Sequence, residues 1–124
     1  MYIAIDFDGT CVTHEFPKVG KDIGAAPVIR QLVEAGHKII LFTMRDNDTL
    51  KDAEKWFMDN NIPLFASNDN PEARWSTSRK VFAHYYIDDM GLGIPLKIDY
   101  ELSNRPFVDW EKVELLLKMT QIIK

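Results

Sequence analysis

Short apolar runs that end at polar residues alternate with helix-like segments along this chain, and this alternation limits the possible folds more than any other feature. Three runs are followed directly by polar residues: Tyr2–Ile5 by Asp6, Lys38–Phe42 by Thr43, and Tyr85–Ile87 by Asp88 and Asp89. Strands that alternate with helices are typical of a parallel sheet with right-handed crossovers. Because ligands of open α/β sheets bind at the carboxyl ends of the strands, we expect these polar residues to share one edge.

The segments between these runs predict the remaining elements. Helices are predicted from Pro27 to Gly36, from Asp48 or Thr49 to about Asn60, over 77–83, and from about Asp109 onward; further short strands are predicted at 63–66 and 96–98. The longer helices repeat apolar residues every three or four positions. The 124 residues match the usual size of one domain. The predicted fold is therefore α/β, a Rossmann-like three-layer fold with a parallel sheet, in a single domain over 1–124.

Two pairs of carboxylates follow two of the predicted strands. Asp6 and Asp8 are separated by one residue, and Gly9 then permits a sharp turn that lets both face one centre. Asp88 and Asp89 form the second pair. Four carboxylates in one cleft repel each other unless a cation lies among them. Because the cluster offers only oxygen ligands, the sequence predicts a magnesium site formed by Asp6, Asp8, Asp88 and Asp89.

Taken in order, these motifs resemble those of the haloacid dehalogenase-like (HAD) hydrolases. The four similar motifs are Asp6-Phe7-Asp8-Gly9-Thr10, Thr43 at a strand end, Lys80 within Ser78-Arg79-Lys80, and Asp88-Asp89. The resemblance covers essentially the whole chain. It implies a HAD-like fold and a Mg²⁺-dependent phosphatase that hydrolyses phosphomonoesters.

The resemblance also implies a role for each residue. Asp6 would attack phosphorus and form an aspartyl-phosphate, which water then cleaves. Asp8 would protonate the leaving oxygen and later activate the water. Mg²⁺ would be held by Asp6, by the main-chain carbonyl of Asp8 and by one or both of Asp88 and Asp89.

The phosphoryl group would be bound by a second set of residues. The resemblance gives Thr43 and Lys80 catalytic and substrate-binding roles, and it adds the main-chain N–H of Met44. Arg45 follows Thr43 by two positions, an arrangement that resembles capless phosphatases of nucleotide and polynucleotide phosphates. We expect Arg45 to bind the substrate phosphate; a surface salt bridge is the alternative. Trp75, beside Arg74, is a candidate for stacking on a base, with coverage of the core as the alternative.

The gaps between the motifs are too short for a cap domain. About 32 residues separate Thr10 from Thr43, about 36 separate Thr43 from Lys80, and the predicted elements use both gaps up. An open site favours a nucleotide or a nucleic acid end as the substrate. A sugar phosphate or another metabolite is the alternative if a flap or a second subunit closes the site. A non-catalytic phosphate-binding protein is a further alternative, although Asp6, Asp8 and Lys80 are all present.

Composition limits partners and location. The net charge of −4 argues against a surface that binds extended nucleic acid or anionic lipid. Cys11 is the single cysteine, so no intramolecular disulfide forms. No apolar run approaches the roughly 20 residues that span a bilayer, and the first residues lack the pattern of a signal peptide. These features predict a cytoplasmic protein with no membrane partner, and they leave a homo-oligomer open. The resemblance implies a small molecule with a phosphate, or a terminal phosphate, as the substrate.

Overall fold

The computed structural model describes residues 1–124 as six strands and three helices. The strands are β1 (Tyr2–Ile5), β2 (Lys38–Leu41), β3 (Leu64–Ser67), β4 (Tyr85–Ile87), β5 (Leu96–Lys97) and β6 (Phe107–Val108). The helices are α1 (Ala25–Glu34), α2 (Asn47–Asp59) and α3 (Trp110–Met119). No helix is long and apolar enough to cross a membrane.

The main sheet has four parallel strands in the order β3-β2-β1-β4. Its register aligns the last residue of β1, Ile5, with Leu41 of β2 and with Ile87 of β4. These three strands therefore end level with one another. The residues that follow them lie at one edge of the sheet, as the sequence predicts.

One face of the sheet carries the main core. The chain steps from β1 to β2 to β3 in one direction, so right-handed crossovers carry α1 and α2 over the same face. Helix α3 packs against α1. Alternate strand residues point into this layer, and Ile3, Ile5 and Ile39 are fully or almost fully buried in it.

The opposite face is covered by the segment 68–84, which contains no helix or strand. Tyr2 of β1 places its ring against the rings of Phe65, Phe82 and His84. Ala4, the next residue of β1 on this face, is buried. The layers are thus helices, sheet and segment 68–84, and no cap domain is inserted. The predicted α/β fold class, with a parallel sheet in a three-layer arrangement, is confirmed.

One local prediction is wrong, and two elements differ in detail from their predictions. The helix predicted over 77–83 is absent, because Ser76 and Ser78 accept hydrogen bonds from the N–H groups two residues on, a turn that competes with helix formation. The strand predicted at 96–98 forms as β5, yet it pairs antiparallel with β6 in a separate two-stranded sheet. Helix α2 begins earlier than predicted, because its N-cap is Asp46 and not Asp48 or Thr49.

Candidate active site

Asp6 stands at the edge of the sheet between two neighbouring strands. Its N–H donates to the carbonyl of Ile87 (3.0 Å), so the residue still continues the pairing of β1 with β4. Side-chain oxygens of Asp6, Asp88 and Asp89 lie within 4.8 Å of one another. All three residues are half-buried. The structure thus brings together three of the four carboxylates that the sequence predicts around a cation, and we call these three residues the acidic cluster.

Two carboxyl groups of the acidic cluster have raised pKa values. Burial, together with the negative charge of Asp88, raises the pKa of Asp6 to about 8. The pKa of Asp88 is also raised, mainly by burial. No lysine or arginine forms an ion pair with any member. A bound cation would reverse this effect, since it favours the ionised carboxylates.

Thr10 links the members of the acidic cluster. Its hydroxyl lies 3.0 Å from Asp6 Oδ2 and 3.3 Å from Asp89 Oδ1, and it accepts from the N–H of Asp89 at 3.0 Å. Thr10 is fully buried, and its carbonyl accepts a 2.6 Å bond from the indole N–H of Trp110 in α3. The loop after β1 is therefore fastened to β4 on one side and to α3 on the other.

His14 comes from the segment between β1 and α1 and reaches the acidic cluster. Its Nε2 lies 3.0 Å from Asp89 Oδ2. The ring sits over Gly9, where an added Cβ would lie 2.0 Å from His14 Nε2. Gly9 also has a φ of +78°, which a residue with a side chain rarely adopts. Only glycine fits this position beside the histidine.

Asp8 differs from the other three carboxylates because it is fully paired. Arg45 donates from Nε to Oδ2 (2.8 Å) and from Nη2 to Oδ1 (2.7 Å) of Asp8. The remaining guanidinium N–H groups donate to the carbonyls of Pro17, Lys18 and Thr49. Arg45 is only 3% exposed. The carboxylate of Asp8 is thus no part of the acidic cluster, which corrects the four-carboxylate expectation; its carbonyl oxygen accepts no hydrogen bond and stays free.

These contacts also correct the expected role of Arg45. A guanidinium offers five N–H groups, and here all five are used within the protein. The structure gives Arg45 no free donor for a substrate phosphate. The alternative reading, a salt bridge, is the one that the geometry favours, although the pair is buried and not at the surface as expected.

Thr43 and Met44 lie beyond β2, at the same edge of the sheet. The N–H of Thr43 donates to Asn68 Oδ1 (2.8 Å), and the hydroxyl of Thr43 accepts from the N–H of Arg45 (3.1 Å). Met44 is 97% exposed. The N–H of Met44 donates to no acceptor. This N–H is therefore free, and its contact with a phosphoryl group stays a prediction.

Lys80 lies in segment 68–84 and does not contact Asp6. Its Nζ lies 5.4 Å from the centre of the Tyr86 ring and forms no ion pair. The charge of Lys80 therefore does not offset that of Asp6 in this arrangement. Its predicted catalytic role stays a prediction.

The residues of the acidic cluster fit a hard divalent cation. Every donor atom is an oxygen, and the three carboxylates are close enough to share one ion. The free main-chain carbonyl of Asp8 belongs to the same loop as Asp6. His14 is the nearest nitrogen ligand, and it already bonds Asp89. This donor set matches Mg²⁺ or Ca²⁺ better than a metal that prefers nitrogen or sulfur.

A solved structure resembles this one over nearly its whole length. It is that of a conserved protein coded by a locus from Bacteroides thetaiotaomicron, which is 32% identical in sequence, with a TM-score of 0.79. The similarity covers 97% of this chain and 91% of that chain. The chain belongs to the family of that conserved protein. No protein-family model matches the chain, and no curated protein matches it.

Within this member of the family, the contacts of three site residues escaped sequence reasoning. Thr10 was part of the first motif but had no assigned role, although it is the residue that joins Asp6 to Asp89. Thr43 was selected because it is a polar residue at the end of a strand. Asn68, which follows β3, satisfies the same criterion. The contact of His14 with Asp89 had no signal, because the two residues lie 75 positions apart on irregular segments.

Proposed function

We propose that this protein is a Mg²⁺-dependent phosphomonoester hydrolase of the HAD type that works through an aspartyl-phosphate on Asp6. One observation carries the proposal: Asp6, Asp88 and Asp89 converge within 4.8 Å at adjacent strand ends, and no lysine or arginine pairs with them. Three carboxylates without a lysine or arginine partner form a costly arrangement. A divalent cation and a phosphate would complete it.

The metal would be held by Asp6, by the carbonyl of Asp8 and by Asp88 or Asp89. A divalent ion there would offset the negative charges of nucleophile and phosphate as they approach each other. Thr10 would hold Asp6 and Asp89 in place through its buried hydroxyl. The protein would thus supply a preformed oxygen cage at a fixed edge of the sheet.

Asp6 would be the nucleophile. One of its carboxylate oxygens would form a bond to phosphorus while the bond from phosphorus to the ester oxygen breaks. Water would then attack the phosphorus of the aspartyl-phosphate, releasing inorganic phosphate and restoring Asp6. Ionised Asp6 is required for the attack, so the group must lose the proton that its surroundings favour in the free protein.

Asp8 would give a proton to the ester oxygen and take one from the water. Each of its two oxygens accepts one bond from Arg45 and keeps a further lone pair for the proton. Arg45 would act as a positioning residue, since its contacts fix the plane of the Asp8 carboxylate. The free N–H of Met44, with Thr43 and Lys80, would bind the phosphoryl oxygens.

The site has no cap domain, so we keep a nucleotide or a nucleic acid end as the proposed substrate class and a sugar phosphate or another metabolite as the alternative. A non-catalytic phosphate-binding protein is a second candidate function. The observation that favours it is the tight pairing of Asp8 with Arg45, because a carboxylate engaged on both oxygens is less available for proton transfer.

A turnover screen with Mg²⁺ tests the proposal. Release of inorganic phosphate would be measured with nucleotides, sugar phosphates and 3′- and 5′-phosphorylated oligonucleotides. Acid quenching during turnover, followed by peptide mass spectrometry, should find the phosphoryl group on Asp6. Binding of inorganic phosphate without turnover of any ester would instead support the non-catalytic candidate.

A further inference from the structure

A cavity of about 580 Å³ lies on the face of the sheet that segment 68–84 covers. The segment forms most of its wall, and Tyr86 of β4 forms the side next to the sheet. Lys80 is among the lining residues. The volume falls within the range of roughly 300–1,000 Å³ that is usual for small-molecule sites.

Two residues connect the cavity with the proposed catalytic centre. Tyr86, which lines the cavity, lies on β4 two residues before Asp88, so the cavity and the acidic cluster share the carboxyl end of this strand. Asn68 also lines the cavity, and this residue accepts the bond from the N–H of Thr43. A group attached to a phosphate at Asp6 therefore has an adjacent space to enter.

One aromatic side chain that lines this cavity, Trp75, is largely exposed. Trp75 is 75% exposed, so it does not serve the core coverage considered as its alternative role. Its one ring contact is edge-on with Phe82, at 5.6 Å between centres and 72° between planes. An indole face without a partner, inside a concave site, is suited to stacking on a flat ring.

The cavity also carries unpaired positive charge and free hydroxyl groups. Arg74 pairs with Asp69, whereas neither Arg79 nor Lys80 forms an ion pair. The hydroxyls of Ser76 and Ser78 accept from main-chain N–H groups and keep their own protons for donation. Cations and donors in a chain of net charge −4 favour an anionic ligand that has polar ring atoms.

We propose that this cavity is the leaving-group subsite of the same enzyme and selects phosphomonoesters whose alcohol carries a planar aromatic ring, with Trp75 stacking on that ring. This inference rests on the phosphomonoesterase function proposed above. Nucleoside monophosphates are the matching chemical class. A nucleoside phosphate can be free or form the end of an oligonucleotide, and the acidic net charge favours the free form.

The test compares two substrates that share one scissile bond. A nucleoside 5′-monophosphate and ribose 5-phosphate have the same ester oxygen and differ by the ring, so the ratio of their kcat/KM values isolates the ring. We expect a ratio of at least about 10 in the unaltered protein. Trp75→Ala should lower the ratio below about 3, and Trp75→Phe should retain most of it.

Tyr100→Ala is the matched control, because Tyr100 is an aromatic residue of similar exposure that does not line the cavity. A ratio near 1 in the unaltered protein, or a ratio that Trp75→Ala leaves unchanged, would overturn the subsite. A 5′-phosphorylated oligonucleotide hydrolysed 10-fold better than the mononucleotide would overturn the assignment to free nucleotides.

Failure of the proposed function can be told apart from failure of the subsite. If no phosphomonoester is hydrolysed, calorimetry measures binding of the same two compounds to the unaltered protein and to Trp75→Ala. Binding of the nucleoside monophosphate about 10-fold tighter than ribose 5-phosphate, lost in Trp75→Ala, would support the cavity as a ring-binding site without the reaction. Equal binding of the two compounds would overturn it.

Discussion

Two kinds of carboxylate lie at the same edge of the sheet. Asp8 is held by a buried arginine on both oxygens, while Asp6, with Asp88 and Asp89, has no arginine or lysine at all. Only one residue separates Asp6 from Asp8, yet the fold provides a permanent counter-charge for one and withholds it from the other. This difference is consistent with the proposed cation at the acidic cluster, whereas the contacts of Asp8 hold its carboxylate in a fixed position.

The largest expected effect is on the unpaired side of this comparison. Asp6→Asn should abolish turnover, a loss of about 1,000-fold or more, because the amide cannot form the acyl-phosphate. Steady-state phosphate release would be measured, with circular dichroism as the check of the fold. Asp59→Asn, an exposed carboxylate at the end of α2, should keep full activity. More than a few per cent of residual activity in Asp6→Asn would contradict the nucleophile assignment.

Removal of the divalent ion should have an effect nearly as large. Protein treated with EDTA should lose activity and regain it with Mg²⁺. Because the pKa of Asp6 is about 8 without metal, binding at pH 7 should also release a proton. Calorimetry in two buffers of different ionisation enthalpy would count that proton. Full activity in excess EDTA, after metal has been stripped, would rule out the cation.

The paired side of the comparison is tested with two arginines. Arg45→Ala should destabilise the protein by about 2–4 kcal/mol, since it leaves Asp8 and three carbonyls without a donor. Arg74→Ala removes a two-point contact with Asp69 of similar geometry, but that pair is exposed and solvent screens it, so the loss of stability should be clearly smaller than for Arg45→Ala. Urea unfolding of both variants, at one pH, measures the difference.

Arg45 also has an expected effect that stability alone does not explain. If it positions Asp8, Arg45→Ala should lower kcat about 10-fold while KM changes little, because the proton transfer suffers and phosphate binding does not. Kinetics would be run at a temperature where the variant is fully folded. A rise in KM with an unchanged kcat would instead return Arg45 to the substrate-binding role expected from the sequence.

The smallest expected effect is a gain of stability. The pKa of Asp6 is about 8 in the folded protein and near 3.8 when unfolded, so the folded state holds the extra proton between these values. The stability of the metal-free protein should therefore fall as pH rises from about 4 to about 8. At pH 8 the free energy of unfolding of Asp6→Asn should exceed that of the unaltered protein by about 2 kcal/mol, and at pH 4 the two values should be nearly equal. Unfolding in EDTA at both pH values measures this, and an equal difference at both would be contrary to it.

Sequence reasoning reached the sheet and its edge because both follow from local patterns. The apolar runs that end at Asp6 and Asp88 are visible in the sequence, and parallel strands carry their last residues to one edge. The direction of a side chain beyond a strand is not visible in this way. Arg45 turns inward because three carbonyls and Asp8 surround it, and these come from separate segments of the chain.

Segment 68–84 was hardest to predict for a related reason. The conformation of this segment depends on contacts with the sheet. One of them is the hydrogen bond that the Tyr86 hydroxyl donates to the carbonyl of Val81 at 2.6 Å. Local propensity favoured a helix over 77–83, and the serine turns prevailed. Whether Lys80 reaches a phosphate depends on this segment, which explains why its predicted role is the one that the fold supports least.

The strand order has a consequence for how the chain is made. β1 is synthesised before β2 and β4 but lies between them, so one of its edges stays unpaired until residues 85–87 have been synthesised. Asp88 and Asp89 arrive with β4, and the indole of Trp110, which fastens the loop at Thr10, arrives about 20 residues later. A growing chain therefore carries an open sheet edge, a site for chaperones or for aggregation, and the acidic cluster is complete only after residues 88 and 89 have been synthesised.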